Sequence, residues 1–536
     1  MSQGDSPKPD HPTDAGRPGP VVRTRAGAVR GVVEEHHGRP LAVFRGVPYA
    51  QPPVGPLRFA SPRPPLPWQG VRDATRFAPA FLQSPDPHSS EDALYANVWT
   101  PDPAGRRPVL VYIHGGGWQV GAGSVPTFDG AKPAARGDIV VVNFNYRLGV
   151  FGWGLHDDLT DPDTGHRANW GLQDQLALLR WVRDNAEAFG GDPHAVTLCG
   201  TSAGGATARQ LVALPETRGL VGRLVAISAA HPWAPACSLT PEDATTVYEA
   251  LAKECGTSVR GLRDVPADRL HRAWLDFFAA PPAERPVASG REYRGPVLDG
   301  RTVPAFAEDL PVPDIPVMSV HNSTEGSFFT DPLSPSFPPA PPAPRDDAEL
   351  VDAVHGVLLK LAARVPDGRA EECVAVYRDA AAAHGLPADP RTLWTEIWGD
   401  ALFRHRIVRQ AERHAREGRS PQYVMEFAHP VRPPHHGTPH DATSKFLFGT
   451  HAHPLNVGQF GDGPLERRIS DTFTDLVTSF VRGSAPTAPH APDWPVFSPR
   501  QPTTLILGGT GTARLGVTPK LRPLRFWDGP DRHSRP

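Results

Sequence analysis

The stretch that decides the fold covers residues 195–204 and reads AVTLCGTSAG. Its first half is a short, mostly apolar run typical of a buried strand, and its second half is a G-x-S-x-G pattern centred on Ser202. A serine between a strand and a helix occupies a sharp turn with strained backbone angles, and glycines on both sides leave room for the neighbouring elements. The pattern therefore predicts a strand, a turn that exposes the serine hydroxyl, and a helix that begins just after Ser202.

Strands and helices alternate around this stretch. Two β-branched, apolar runs at residues 109–113 and 139–144 are typical of strands covered on both faces. Between residues 171 and 189, apolar residues recur every three or four positions, as in an amphipathic helix. Further strands are predicted at 224–227 and 315–320, and further helices at about 393–415 and 466–481. This order predicts an α/β fold with a mostly parallel central sheet flanked by helices.

A glycine tract follows the strand predicted at 109–113. The sequence there is His114-Gly115-Gly116-Gly117-Trp118. Consecutive glycines leave backbone N–H groups exposed and able to point at one oxygen atom, as in the HGGG-type oxyanion holes of esterases and lipases. The N–H groups of Gly116, Gly117 and Ala203 are the predicted donors, and they would hold the negative oxygen of a tetrahedral intermediate.

Composition narrows the range of functions. The chain has 536 residues and a formal net charge of −3, which argues against a nucleic-acid surface and against a polybasic membrane binder. No run approaches the roughly 18 apolar residues of a membrane span. The four cysteines form no CxxC pair, so neither a zinc site nor a disulfide framework is indicated. We expect no metal or organic cofactor.

The polar chain ends and the proline-rich segments indicate where the folded domain and its loops begin and end. Residues 1–20 are polar and proline-rich and contain no apolar stretch that could act as a signal peptide, so we expect a disordered tail and a cytoplasmic protein. Residues 331–345 are proline-rich and predict a surface loop or lid segment, and residues 430–439 predict a second, histidine-containing loop. No linker divides the remainder, so we expect a single catalytic domain at 21–528 and a C-terminal tail at 529–536.

With these motifs in place, the chain resembles the type B carboxylesterases, which include bacterial para-nitrobenzyl esterases and animal cholinesterases. The nucleophile signature of that family is matched from Phe189 onward, where the sequence reads FGG, then four further residues, then VTLCGTSAG. Other matching segments are FRGVPYAQPPVGPLRF from Phe44, EDALYANVWTP from Glu91, NYRLGVFG from Asn145, NWGLQDQLALLRWV from Asn169, PVLDG from Pro296, and the late RGSAP and WPVF segments. The resemblance implies an α/β-hydrolase fold with helical insertions that acts on carboxylic esters.

The resemblance also implies two partners for Ser202, an acid and then a histidine. The family acid is usually a glutamate in a T-x-E-G or D-E-G context after a late strand, and Glu325 matches it. The family histidine stands nine residues before the glycine of an aromatic-x-aromatic-Gly run, and His440 stands nine before Gly449. His435 and His436 are the nearest rivals.

Several family features are absent. Ala93 stands where secretory members carry a bridging cysteine, and Cys255 lacks a partner near Gly261, which favours a reducing compartment. Thr201 and Thr443 replace two glutamates near the site.

Another expected neighbour of the triad is Ser228. It stands at the position of a family serine near the triad, where it either orients Glu325 or His440 or caps the end of a strand.

These residues predict ester hydrolysis by acyl transfer. His440 would take the proton of Ser202, Glu325 would hold the imidazole in one tautomer, and water would release the acid. We expect small-molecule esters with an apolar group as substrates, no nucleic-acid or membrane partner, and a monomer or small homo-oligomer. The alternatives are an acyltransferase, a tailoring hydrolase of a specialised metabolite, carbamate or lactone, and a non-catalytic recognition protein of the same fold.

Overall fold

A computed structural model describes residues 17–84, 86, 88–229, 239–281, 284, 285, 287, 295–330, 342–361 and 365–528. Cys237 and most of the proline-rich segment at 331–345 lie outside these residues. Among them, thirteen strands form one sheet. The strands are β1 Arg17–Arg23, β2 Ala28–His36, β3 Arg39–Pro48, β4 Val71–Asp73, β5 Tyr95–Thr100, β6 Arg107–Ile113, β7 Val140–Phe144, β8 Gly191–Thr201, β9 Arg223–Ile227, β10 Val317–Asn322, β11 Gln422–Phe427, β12 Thr503–Leu507 and β13 Ala513–Val517.

The middle of the sheet is parallel and its margins are antiparallel. The strand order is β1-β2-β3-β5-β7-β6-β8-β9-β10-β11-β12-β13, with β4 paired to β2. All pairs from β7 through β12 are parallel, while β1, β2, β3 and β5 and the last strand β13 pair antiparallel. The carboxyl ends of the parallel strands therefore meet at one edge of the sheet, where α/β folds place their sites.

Helices cover the sheet. They are α1 Ala131–Gly137, α2 Gly149–Gly152, α3 Trp170–Asn185, α4 Ala203–Ala213, α5 Pro241–Glu254, α6 Ala267–Ala279, α7 Ser327–Thr330, α8 Asp347–Leu361, α9 Arg369–Ala383, α10 Pro390–Gly399, α11 His405–Glu417, α12 Ala442–Leu447, α13 Val457–Phe460, α14 Pro464–Val481 and α15 Leu521–Phe526. One turn of π-helix, Asp400–Arg404, joins α10 to α11. Helices α8, α9 and α10 lie between β10 and β11 in the chain, which makes them a helical insertion, and they pack around an apolar cluster that also includes Phe526 and Trp527 at the end of the described chain.

Most predicted elements are present, although several of their ends differ, and two of these differences affect the analysis. The predicted strand at 315–320 begins at Val317, because Pro316 has no N–H to donate to the ladder, and it continues to Asn322 through parallel pairing with β11. The predicted tail at 1–20 is wrong in its last four residues. Arg17–Arg23 form β1, which pairs with β2, so residues 17–20 belong to the sheet.

A buried ion pair joins two of the family segments, the one from Asn145 and the one from Asn169. Arg147 donates to both carboxylate oxygens of Asp174, at 2.8 and 2.7 Å, and its third nitrogen donates to the carbonyl of Ala60 at 2.8 Å. The two side chains are 1% and 0% exposed. Asp174 lies on α3, so the pair ties that helix to the segment after β7.

We expect Arg147→Met to lower the free energy of unfolding by about 3–5 kcal/mol, because it leaves the Asp174 carboxylate buried without a counter-charge. Urea denaturation measures this loss. The control is Arg63→Met, whose pair with Asp163 is 41% and 61% exposed, so water screens the pair and its loss should change stability little. Equal losses in the two variants would contradict the expectation.

No helix of the described residues is both long enough and apolar enough to span a bilayer.

Candidate active site

Ser202 occupies the turn between β8 and α4. Its backbone angles are φ 57° and ψ −124°, a conformation that L-residues rarely adopt and that persists only when the surroundings impose it. The Ser202 N–H donates to the Ile227 carbonyl at 2.9 Å, and its own carbonyl accepts from Ala206 at 2.8 Å. The neighbouring strand β9 and the first turn of the helix thus hold the serine in place.

The two glycines of the pattern are required by close packing, as predicted. A Cβ on Gly200 would lie 2.4 Å from the Gly204 carbonyl oxygen, inside the first turn of α4. A Cβ on Gly204 would lie 2.2 Å from the carbonyl oxygen of Ile113, on the adjacent strand β6. A side chain at either position would therefore separate the helix from the sheet.

Glu325 and His440 are in hydrogen-bond contact although 115 positions separate them in the chain. Glu325 follows β10, and His440 lies between the loop at 430–439 and α12. The imidazole Nδ1 is 2.7 Å from Glu325 Oε2, and the carboxyl group is 0% exposed. Because a carboxylate accepts, Nδ1 carries the proton and Nε2 is left as an acceptor. Nε2 is buried and has no hydrogen-bond partner among the described residues.

Two further groups hold the second oxygen of Glu325. Ser228 Oγ donates to Oε1 at 2.8 Å, and the backbone N–H of Asn322 donates to the same atom at 2.8 Å. Ser228 therefore contacts the acid rather than the histidine, and it does so from a strained backbone with φ 46°. Sequence reasoning missed Asn322, because the predicted strand ended at 320 and placed this residue in a loop.

The glycine tract packs directly against the Ser202 turn. A Cβ on Gly115 would lie 3.0 Å from Ser202 Cβ, and one on Gly116 would lie 2.0 Å from the Val120 carbonyl oxygen. Gly116 and Gly117 have φ values of 114° and 60°. Among the described residues, their N–H groups donate to no protein acceptor.

Two neighbouring residues complete this corner of the site. Ala203 is the first residue of α4, so its N–H also lacks an intrahelical partner. His114 is neutral at physiological pH, since burial lowers its pKa to about 4. Its Nδ1 lies 2.8 Å from the Gly115 carbonyl and its ring stacks on Tyr146 at 4.4 Å, which fixes the start of the glycine tract.

A cluster of three hydroxyls connects the Ser202 turn to the helix that follows His440. Thr201 Oγ1 accepts from Tyr112 at 3.1 Å and from Ser444, on α12, at 3.0 Å. Burial raises the pKa of the Tyr112 phenol, which stays neutral. Thr201 thus links two elements through neutral hydroxyls where the family resemblance implies a carboxylate.

Thr443, at the second position where the resemblance implies a glutamate, is 0% exposed. Its hydroxyl has no partner among the described residues.

Aromatic rings cover the imidazole of His440. The ring centroids of Phe403, Phe329 and Phe328 lie 4.4, 5.4 and 6.1 Å from that of the histidine. Phe403 belongs to the π-helical turn Asp400–Arg404, so this irregular turn places an aromatic ring on the histidine. Trp398 packs on Phe329 at 4.5 Å and extends the apolar wall.

The rival histidines lie farther out along the same loop. His436 is exposed, His435 is half-buried, and His440 is 4% exposed. No group of three or more metal-ligating side chains occurs in the part of the chain that the structure describes.

The chain is similar to known carboxylesterases along almost its whole length. The model of the carboxylesterase family matches residues 18–527. The chain is 32% identical to the para-nitrobenzyl esterase of Bacillus subtilis (strain 168) over 511 residues, which is 91% of this chain and 94% of that protein. It is 31% identical to the liver carboxylesterase of Sus scrofa over 531 residues, 90% of this chain and 89% of the relative. A solved carboxylesterase of Geobacillus stearothermophilus superposes with a TM-score of 0.79 at 30% identity, covering 95% of this chain and 99% of that one. The expected α/β-hydrolase fold is confirmed.

Proposed function

The chain belongs to the carboxylesterase family and is a carboxylic ester hydrolase, and on that premise we propose that it works through a serine acyl-enzyme with Ser202 as nucleophile, His440 as base and Glu325 as the acid that orients the base. The observation that carries this assignment is the buried Glu325–His440 hydrogen bond of 2.7 Å, which leaves His440 Nε2 as a free acceptor. The Ser202 turn is joined to the helix after His440 through Thr201 and Ser444. This link supports placing the acceptor and the hydroxyl at the same edge of the sheet.

The reaction begins with the transfer of the Ser202 proton to His440 Nε2. The serine oxygen attacks the ester carbonyl, and the resulting oxyanion is held by the N–H groups of Gly116, Gly117 and Ala203. His440 then protonates the departing alcohol, and water repeats the sequence to release the acid. Glu325 stabilises the imidazolium in both halves.

The unpaired N–H groups of the glycine tract support its proposed role in stabilising the oxyanion. The N–H groups of Gly116 and Gly117 donate to no protein acceptor among the described residues, and the tract lies against Ser202. Each donor in such a site is worth about 3–4 kcal/mol of transition-state stabilisation.

The preferred substrates are small esters with an apolar or aromatic group. Phe328, Phe329 and Phe403 surround the histidine, and aromatic rings of this kind bind apolar groups through buried area. A relative at 32% identity is a para-nitrobenzyl esterase, and esters of aromatic alcohols are therefore the first class to test.

The molecular setting belongs to the same proposal. We expect residues 17–528 to act as a single catalytic domain, to function in the cytoplasm as a monomer or small homo-oligomer, and to bind neither nucleic acid nor membrane. Free thiols at Cys199, Cys255 and Cys373 support a reducing compartment.

A serine-directed fluorophosphonate tests the assignment. We expect stoichiometric loss of para-nitrophenyl ester hydrolysis and a covalent adduct on Ser202, located by peptide mass spectrometry. Pre-incubation with a competing ester should slow the labelling. An adduct on another serine with equal loss of activity would overturn the assignment of the nucleophile.

A further inference from the structure

We propose that Asn322 is a positioning residue of the reaction, because its single carboxamide fixes both the acid and the main chain of the histidine. This inference rests on the proposed roles of Glu325 and His440. Asn322 Nδ2 lies 3.1 Å from the His440 carbonyl oxygen, 3.0 Å from Ser228 Oγ and 3.4 Å from Glu325 Oε2. Its backbone N–H donates to Glu325 Oε1 at 2.8 Å.

Asn322 lies in the sheet, whereas His440 lies at the end of a loop. Asn322 is the last residue of β10 and is paired in parallel register with Phe427 of β11, inside the sheet. His440 arrives at the end of a loop and has no strand to hold it. The bond from Nδ2 to the His440 carbonyl therefore ties the loop to the sheet, and sites built on strands are more accurately placed than sites on loops.

The carboxamide also acts on the charge of the acid. Its N–H groups approach Glu325 Oε2, the oxygen that accepts from His440, and a donor there withdraws negative charge from the bond to the imidazole. Among the described residues, no other charged side chain hydrogen bonds to the imidazole, and Phe328, Phe329 and Phe403 contact the ring. Asp441, next in the chain, is paired with Lys445.

The unpaired oxygen of Asn322 indicates that this residue is not there mainly to stabilise the fold. The whole residue is 0% exposed, and its Oδ1 has no hydrogen-bond partner among the described residues. An unpaired buried acceptor destabilises the folded state. Replacement by leucine, which has a similar shape, removes this penalty but also leaves the His440 carbonyl without its donor. The net change in stability should therefore be smaller than the change in rate.

The test is Asn322→Leu in the full chain, assayed with para-nitrophenyl butyrate from pH 5 to 9. We expect kcat to fall on the order of 10- to 100-fold with little change in KM, because a misplaced catalytic group slows the chemical step. The acidic limb of the pH–rate profile should move to higher pH, since Glu325 then holds the imidazolium more strongly. An unchanged kcat, or a loss of kcat without movement of the limb, would overturn the proposal.

A matched control and a double-mutant cycle complete the experiment. Asn185, at the end of α3, is 6% exposed and holds two hydrogen bonds of 2.8 Å, with the Arg25 N–H and the Trp181 carbonyl. Asn185→Leu should lower the unfolding temperature without moving the limb. The effects of Asn322→Leu and Ser228→Ala on kcat should be non-additive in the double variant, because both residues donate to the Glu325 carboxylate. Additive effects would count against the proposed role of Asn322.

Failure of the proposed function would appear separately. If Ser202→Ala hydrolysed the same ester at the wild-type rate, the nucleophile would be misassigned. If Ser202→Ala were inactive while Asn322→Leu behaved as wild type, the inference on Asn322 alone would fail.

Discussion

Ser202→Ala is expected to lower kcat/KM for para-nitrophenyl acetate by roughly 10⁵- to 10⁶-fold, the largest single effect in this protein. In the proposed mechanism, the substitution removes the atom that forms the acyl-enzyme. The glycine tract and Ala203 would still hold the carbonyl oxygen, so some catalysis over water should remain. Stopped-flow assays of the purified variant measure the loss, and the burst of para-nitrophenol at the start of the reaction should vanish.

The variant should keep its fold. Alanine, like serine, has an unbranched Cβ and should tolerate the strained φ of 57° about equally well, and the bond from the backbone N–H to Ile227 is unaffected. Thermal unfolding within a few degrees of the parent would show that activity and structure are separated. Ser484→Ala, at an exposed position after α14, serves as the control and should hydrolyse at the parent rate. Wild-type turnover by Ser202→Ala would contradict the assignment.

Features that depend only on neighbouring residues in the chain could be predicted from the sequence. The turn at Ser202 follows from local geometry, because Gly200 and Gly204 leave no space for a Cβ and a strand and helix flank them. The glycine tract after β6 is local in the same sense. The parallel centre of the sheet follows from apolar runs that alternate with helical periodicity.

Features that depend on distant contacts needed either the family resemblance or the structure. Apart from the family pattern, nothing within ten residues of Glu325 marks it as the proposed acid, since its hydrogen-bond partner His440 is 115 positions away. The resemblance supplied both residues, and the structure places them in contact. For Ser228 the residues left two partners open, and the fold brings it to Glu325.

Asn322 could not be found in this way because its role depends on where a strand ends. A strand that stopped at 320 would have left it on a loop, and pairing with β11 extends the strand by two residues. The π-helical turn that carries Phe403 was missed for a similar reason. The predicted helix at 393–415 has the correct periodicity on both sides of that turn, and a single wide turn leaves little trace in the pattern.

Glu325→Gln is expected to lower kcat by about 10⁴-fold, because it presents the wrong hydrogen-bond partner to the imidazole. The backbone N–H of Asn322 requires an acceptor at the position of Oε1 and therefore orients the new amide with its oxygen there. The NH₂ group then faces His440 Nδ1, which must accept. Nε2 consequently carries the proton and cannot take one from Ser202.

The pH dependence separates this effect from a loss of structure. Without the carboxylate the imidazolium is less stable, so the acidic limb of the residual activity should move to lower pH, opposite to the shift expected for Asn322→Leu. Glu91→Gln is the matched control, since its buried carboxylate pairs with Arg58 at 2.6 Å and the pair shares no contact with His440. That variant should lose stability and keep both the rate per folded molecule and the position of the limb. A limb that moved upward in Glu325→Gln would show that Glu325 does not stabilise the imidazolium.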